Sequence, residues 1–182
     1  MAHCIYLTSA EGHSGKSTIA LGVLDALART TPRVGVFRPI ARSTEERDDS
    51  LDMLLGHTSH VLDYEDCIGA TYEQVRADPD AALALIVQRF KAIEAQCDAV
   101  VIVGSDYTDV ASPTELSYNA RIAANLGAPV LLVLGGRANR GQGEQLGTTT
   151  PRSPADIAQL ASTTLAELAD ELSRFRDWKV QH

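Results

Sequence analysis

The sequence predicts an α/β fold: a doubly wound, mainly parallel sheet with helices on both faces. Three observations carry this. Four short apolar runs, His3–Thr8, Arg33–Phe37, Asp98–Val103 and Pro129–Leu134, are rich in Val, Ile or Leu and lack polar alternation, as strands covered on both faces do. Between them lie segments with helix-start signals and apolar residues at three- and four-residue steps. Strand and helix thus alternate along the chain, the pattern of right-handed crossovers in a parallel sheet.

Element by element, the first run ends at Thr8, and a glycine-containing loop leads to a helix that starts near Gly15. The second run is read as ending at Phe37, with Arg38-Pro39-Ile40-Ala41-Arg42 on the loop after it. Ser43-Thr44-Glu45-Glu46 has the form of a cap for a short helix that stops near Gly56. Asp78-Pro79 opens another helix, with Leu83, Ile86, Phe90 and Ile93 on one face. The stretch from about Ser43 to Gln96 is long for one crossover and is expected to hold two or three helices on one side of the sheet. Ser112-Pro113-Thr114-Glu115 is a capping box with proline at the first helical position, and Gly127 is a natural stop. The Gly135–Pro151 segment, with its glycines and the threonines 148 to 150, reads as a mobile surface loop. Ser153-Pro154 opens the last helix, with Ile157, Leu160, Ala161, Leu165, Leu168, Leu172 and Phe175 on its apolar face and an expected end near Arg174. No strand signal follows. The sheet is therefore expected to lack its last strands, either as a fragment cut from a larger protein or with a C-terminal tail that packs elsewhere.

The 182 residues suit a single domain over residues 1–182, and 45% apolar residues suffice for a core. Lys plus Arg number 16 against 24 Asp plus Glu, a net charge of -8. That balance argues against sequence-independent binding to nucleic acid or to an anionic membrane, both of which need a basic surface. Cys4, Cys67 and Cys97 are scattered, with no CxxC pair, so three thiols in a reducing compartment are expected rather than a disulfide framework or structural zinc. No apolar run reaches the roughly 18–20 residues of a membrane span, and Met1–Thr8 has no basic leader region. A cytoplasmic protein is expected.

The sharpest local signal is Ala10-Glu11-Gly12-His13-Ser14-Gly15-Lys16-Ser17, placed between a strand and a helix as a P-loop requires. Gly12 and Gly15 let backbone N–H groups turn toward phosphate oxygens at a helix N-terminus. Lys16 is suited to the β- and γ-phosphates, and the Ser17 hydroxyl to Mg²⁺. Ala10 stands where the pattern has its first glycine. The candidate nucleotide- or phosphate-binding set is Gly12, His13, Ser14, Gly15, Lys16, Ser17 and Thr18 with Arg38 and Arg42, whose planar guanidinium groups suit phosphate or carboxylate. Asp48, Asp49 and Asp52 cluster near the next helix. Asp48 is the candidate to hold Mg²⁺ with Ser17, although acidic residues there also suit a helix N-terminus. At the tip of the third run, where a P-loop enzyme usually carries an acidic residue, stands Gly104; Asp106 and Asp109 follow on the loop, and Asp106 is a substitute metal candidate. Arg137 and Arg140 add cations after the fourth run. His57 and His60, three residues apart without a third ligand, read as a turn.

Taken together, AxxxxGKS after the first strand, VGVFRPI, a long helical crossover, DAVVIVGSDYTD and SPTELSYNARIAANLGAPVLLVL closely resemble the N-terminal domain of long-form phosphate acetyltransferases, itself similar to dethiobiotin synthetase. The resemblance covers nearly the whole chain. It implies a parent with this domain, a middle regulatory domain and a C-terminal catalytic domain that converts acetyl-CoA and phosphate to CoA and acetyl phosphate. It places metabolite sensing and hexamer stabilisation in the present domain. Against dethiobiotin synthetase, the phosphate-loop residues Gly15, Lys16 and Ser17 match, and Asp48 approximately matches a metal-binding aspartate. Arg38 stands for a substrate-binding lysine, Arg42 for a small hydroxyl residue and Gly104 for a metal-binding glutamate. The adenine-recognition segment would lie beyond residue 182.

These readings leave three functions. The leading one is a non-catalytic regulatory domain of a phosphate acetyltransferase that binds ATP, another nucleotide or phosphate, with Mg²⁺ and without a tightly held cofactor. Its partners would be the remaining domains of that enzyme and further copies of itself in a homo-oligomer. The second is an ATP- and Mg-dependent ligase of the dethiobiotin synthetase type, and the third a degenerate P-loop module used only for assembly.

Overall fold

Five strands form one sheet in the order β3-β2-β4-β1-β5, and every neighbouring pair is parallel. They are β1 (His3–Thr8), β2 (Val34–Ala41), β3 (Ile68–Thr71), β4 (Ala99–Val103) and β5 (Val130–Leu132). The helices are α1 (Lys16–Ala28), α2 (Asp49–Leu55), α3 (Tyr72–Ala77), α4 (Pro79–Glu94), α5 (Thr114–Leu126) and α6 (Pro154–Gln181). This computed structural model describes residues 2–181 except His13, Thr44, Ser59, residues 106–113 and residues 138–149. The expected Ser112-Pro113 cap and most of the loop after β5 fall outside the described residues.

The sheet is covered as its apolar runs require. All five residues of β4 are buried, as are all eight of β2. Helices α1 and α2 pack together, α3 and α5 pack on α4, and α6 packs on α5. Phe37 of β2 meets Phe90 of α4 edge to face, with centroids 5.5 Å apart. Cys67 and Cys97 are buried, Cys4 is half-buried, and all three are free thiols. Among the described residues no helix is long and apolar enough to cross a membrane.

Four elements depart from expectation. Strand β2 continues four residues past Phe37, so Arg38 lies in the sheet and not on a loop. Its pairing with β4 ends at Phe37↔Ile102, and beyond it β2 pairs with β3 alone; Pro39, with no N–H to donate, is tolerated where one side of the ladder has ended. Strand β3 was not expected at all. It sits within the Ser43–Gln96 stretch, which holds α2, a 3-10 turn at Tyr64–Cys67, β3, α3 and α4, and α2 packs with α1 rather than with α3 and α4. Helix α2 is capped by Asp48, whose side chain accepts from the Leu51 N–H, not by Ser43. The Ser43 hydroxyl instead accepts from the Glu45 and Glu46 N–H groups and closes a turn. Finally, α6 runs past Arg174 to Gln181.

Candidate phosphate-binding site

In an open parallel sheet the loops at the carboxyl ends of the strands share one edge, and here the tips of β1, β2, β4 and β5 converge there. The segment after β1 turns into α1 through Gly15, the N-cap residue, with φ 83° and ψ 15°. Nothing lies within 4 Å of a Cβ built on Gly15, so glycine is required by its left-handed backbone and not by space; an L residue there would cost about 1–2 kcal/mol. No side chain caps α1. Its first N–H groups therefore carry the positive end of the helix dipole toward the loop. Gly12 is buried, Ser14 half-buried and Thr18 exposed on α1, while His13 lies outside the described residues. Two buried hydroxyls at this edge, Thr8 Oγ1 and Ser14 Oγ, have no hydrogen-bond partner among the described residues.

Lys16 is 2% exposed. Its Nζ donates to the Gly104 carbonyl at 2.6 Å and the Ser105 carbonyl at 3.2 Å. Arg38 reaches the same place from β2, donating to Val103 O at 3.1 Å and Gly104 O at 2.7 Å, while its Nε donates to Asp48 Oδ2 at 3.0 Å. Two cations thus share one carbonyl at the tip of β4. Arg42 is exposed just past β2 and does not join them in the interior. Ser17 donates from Oγ to Ser50 Oγ at 3.0 Å, linking α1 to α2.

The β4 tip is held by a buried network that the sequence did not reveal. The Tyr6 hydroxyl donates to Asn119 Oδ1 at 2.6 Å, and the Ser105 N–H donates to the same oxygen. Asn119 Nδ2 donates to Ser105 Oγ and, within α5, to the Glu115 carbonyl. Burial pushes the Tyr6 phenol far above its ordinary range, so it remains a donor. A Cβ on Gly104 would lie 2.5 Å from Asn119 Oδ1, 2.8 Å from Tyr6 Cε1 and 3.0 Å from the Leu7 carbonyl. Glycine at 104 is therefore a packing requirement, and a carboxylate side chain does not fit there.

A second ion pair borders the loop. Glu11 accepts both terminal nitrogens of Arg152, at 2.7 and 2.6 Å, and Arg152 also donates to the Gly135 carbonyl at 2.9 Å. The backbone N–H of Arg152 donates to Gly136, beside a bridge between Arg137 and Pro151. The start of α6 is thereby tied to the phosphate loop and the tip of β5. Asn139 and Arg140 lie outside the described residues.

A family model described as an AAA domain, AAA_26, matches residues 3–149. The chain belongs to this P-loop family. It is 33% identical over 144 residues to a phosphate acetyltransferase of Nitratidesulfovibrio vulgaris, a match covering 75% of this chain and 20% of that protein. It is 30% identical over 167 residues to a phosphate acetyltransferase of Synechocystis, covering 87% of this chain and 23% of that protein. The chain thus spans about a fifth of the length of these curated relatives, and it is a P-loop domain homologous to the N-terminal part of phosphate acetyltransferases.

P-loop domains that hold Mg²⁺ pair the loop hydroxyl with a carboxylate from a neighbouring strand or loop. The described residues of this AAA domain do not fit that role. Both Asp48 oxygens are committed, Oδ2 to Arg38 and Oδ1 to the Leu51 N–H, and its backbone N–H donates to the Tyr64 hydroxyl. Freeing the carboxylate would break a pair whose side chains are 6% and 13% exposed, at a cost of about 3–5 kcal/mol for a buried bridge losing a partner. Asp52 is engaged by Arg47, and Asp106 lies outside the described residues. Among the described residues no group of three or more His, Cys, Asp or Glu is placed to hold a metal. His57 and His60 sit in the turn after α2, with His57 Nδ1 against the Met53 carbonyl.

Proposed function

We propose that this domain binds a nucleotide or another phosphate-bearing ligand and serves as a non-catalytic regulatory or assembly domain of a cytoplasmic phosphate acetyltransferase. The observation that carries it is the pairing of an uncapped α1, entered through left-handed Gly15, with the buried ammonium of Lys16 beside it. Such an arrangement supplies backbone donors and one cation to a phosphoryl oxygen. It does not supply a general base or a metal carboxylate at the β4 tip, where Gly104 has no room for a side chain. The described groups hold and orient an anion, and among the described residues none is placed to activate a nucleophile against it. Turnover of acetyl-CoA and phosphate belongs in this reading to other domains of the parent enzyme, with which the present domain associates in a homo-oligomer.

Calorimetric titration of the chain with ATP, ADP and inorganic phosphate tests the reading. At least one ligand is expected to bind, and Lys16→Ala to weaken it by about tenfold or more, the loss of one charge-assisted contact, without hydrolysis above background. Flat titrations with all three ligands, or ATP turnover abolished by Lys16→Ala, would overturn it.

A further inference from the structure

We infer that this cradle takes its phosphoryl group free of metal, with the Arg38 guanidinium supplying from within the chain the positive charge that a divalent cation would bring. The inference rests on the phosphate-site reading above and names the ligand class of that site: inorganic phosphate, pyrophosphate or the terminal phosphate of a nucleotide, unchelated. Four observations point the same way.

The guanidinium of Arg38 spans from Asp48 to the β4 tip, bonded to Asp48 Oδ2 at one end and to the Val103 and Gly104 carbonyls at the other. These are the two places from which acidic residues of a P-loop site would reach a cation, and the chain bridges them with its own. Among the described residues, the candidate metal carboxylate, Asp48, is held by this bridge and by capping α2. The space for a second carboxylate is filled by Asn119, Tyr6 and the Leu7 carbonyl. The loop hydroxyl of Ser17 is turned to Ser50 of α2, whereas the unpartnered buried groups at this edge, Thr8 Oγ1 and Ser14 Oγ, are hydroxyls able to donate to an anion. A hydroxyl that has lost water and gained no partner is costly, and a phosphoryl oxygen is a partner that both can use. Thr8 is 1% exposed. Among the described residues, Lys16 from α1 and Arg38 from β2, with hydroxyl and backbone donors around them, form a cation-rich pocket in which Asp48 is already paired, the opposite of a metal cage.

The test is calorimetry on the wild-type chain with inorganic phosphate, pyrophosphate and ADP, each in excess EDTA and again with Mg²⁺. The expected result is binding of at least one ligand in EDTA. Mg²⁺ should shift inorganic phosphate affinity by less than about twofold and weaken pyrophosphate and ADP by chelating them, since a tenfold gain would need about 1.4 kcal/mol of new metal contacts. The three ligands distinguish a free phosphate from a nucleotide source. Arg38→Lys should weaken binding in EDTA about tenfold or more through loss of the planar fork, with no rescue by Mg²⁺. Manganese paramagnetic resonance on the wild type, with ligand present, should show no signal from protein-held Mn²⁺, and it decides the question if that variant fails to fold. Binding only in Mg²⁺, tightening of about tenfold or more by Mg²⁺, or a protein-held Mn²⁺ signal overturns the inference while leaving the phosphate-site reading intact. Flat titrations in both buffers overturn the two together.

Discussion

The tightest structural statement at this site concerns Gly104, and replacing it by alanine tests it. The added Cβ meets Asn119 Oδ1 at 2.5 Å, Tyr6 Cε1 at 2.8 Å and the Leu7 carbonyl at 3.0 Å. None can swing clear. Leu7 O belongs to the β1 backbone and accepts from the Gly104 N–H, while Tyr6 and Asn119 are 0% and 1% exposed and bonded to each other. Overpacking of this kind costs about 1–3 kcal/mol, and a weakened Tyr6–Asn119 hydrogen bond adds about 1 kcal/mol. The sum is about 2–4 kcal/mol. At about 2–4 °C per kcal/mol for a chain of this size, the middle of that range lowers Tm by about 6–12 °C. Thermal unfolding followed by circular dichroism reads the shift. Asn119→Ala, made alone and together with Gly104→Ala, sharpens the test, because truncating Asn119 vacates the place where the new methyl goes. The two costs should then fall short of their sum by about 1 kcal/mol or more. A Gly104→Ala Tm within about 2 °C of the wild type, or full additivity in the double variant, would refute the packing argument. It would also remove the reason given for the missing carboxylate.

Two further outcomes follow from the same geometry. The Glu11–Arg152 pair, with side chains 19% and 15% exposed, should give a coupling of about 1–2 kcal/mol in a double-alanine cycle measured by urea unfolding, as a two-pronged, partly buried bridge does; the exposed Asp25–Arg29 pair should give under about 0.5 kcal/mol, and equal couplings would sink the proposed tie between the phosphate loop and α6. Burial holds the Cys4 thiol at about 11 and the Cys67 thiol at about 12 and raises that of Cys97, so a disulfide reagent at about pH 8 should label the native chain slowly and the denatured chain fast. Because the folded thiols keep protons that the unfolded ones release, their contribution to stability is complete below the unfolded value of about 8.5 and declines as pH rises toward the folded values; a thiol labelled at the denatured rate, or stability that climbs above about pH 9, would contradict this.

Local chemistry accounts for what was readable in the chain. The doubly wound class, the strand-loop-helix around Lys16, the Asp78-Pro79 cap and the Gly127 stop rest on short-range rules of apolar spacing, capping and backbone freedom, each contained in a few consecutive residues. Strand β3 was not readable because its four residues contain no run or alternation; its pairing partner in β2 lies some thirty residues away. Asp48 was legible as a residue near a helix start, but its bond to Arg38 needed β2 to extend four residues farther than its apolar run.

What the sequence by itself determined is that a phosphate loop follows the first strand and that glycine replaces an acidic residue at the tip of β4. Only the tertiary structure decided what that glycine is for. Tyr6, Gly104 and Asn119 are far apart along the chain and meet where β1, β4 and α5 pack. Excluded volume at 104, and the spending of Asp48 on Arg38, are contacts between elements, and no local pattern encodes a contact that forms only when the sheet is assembled.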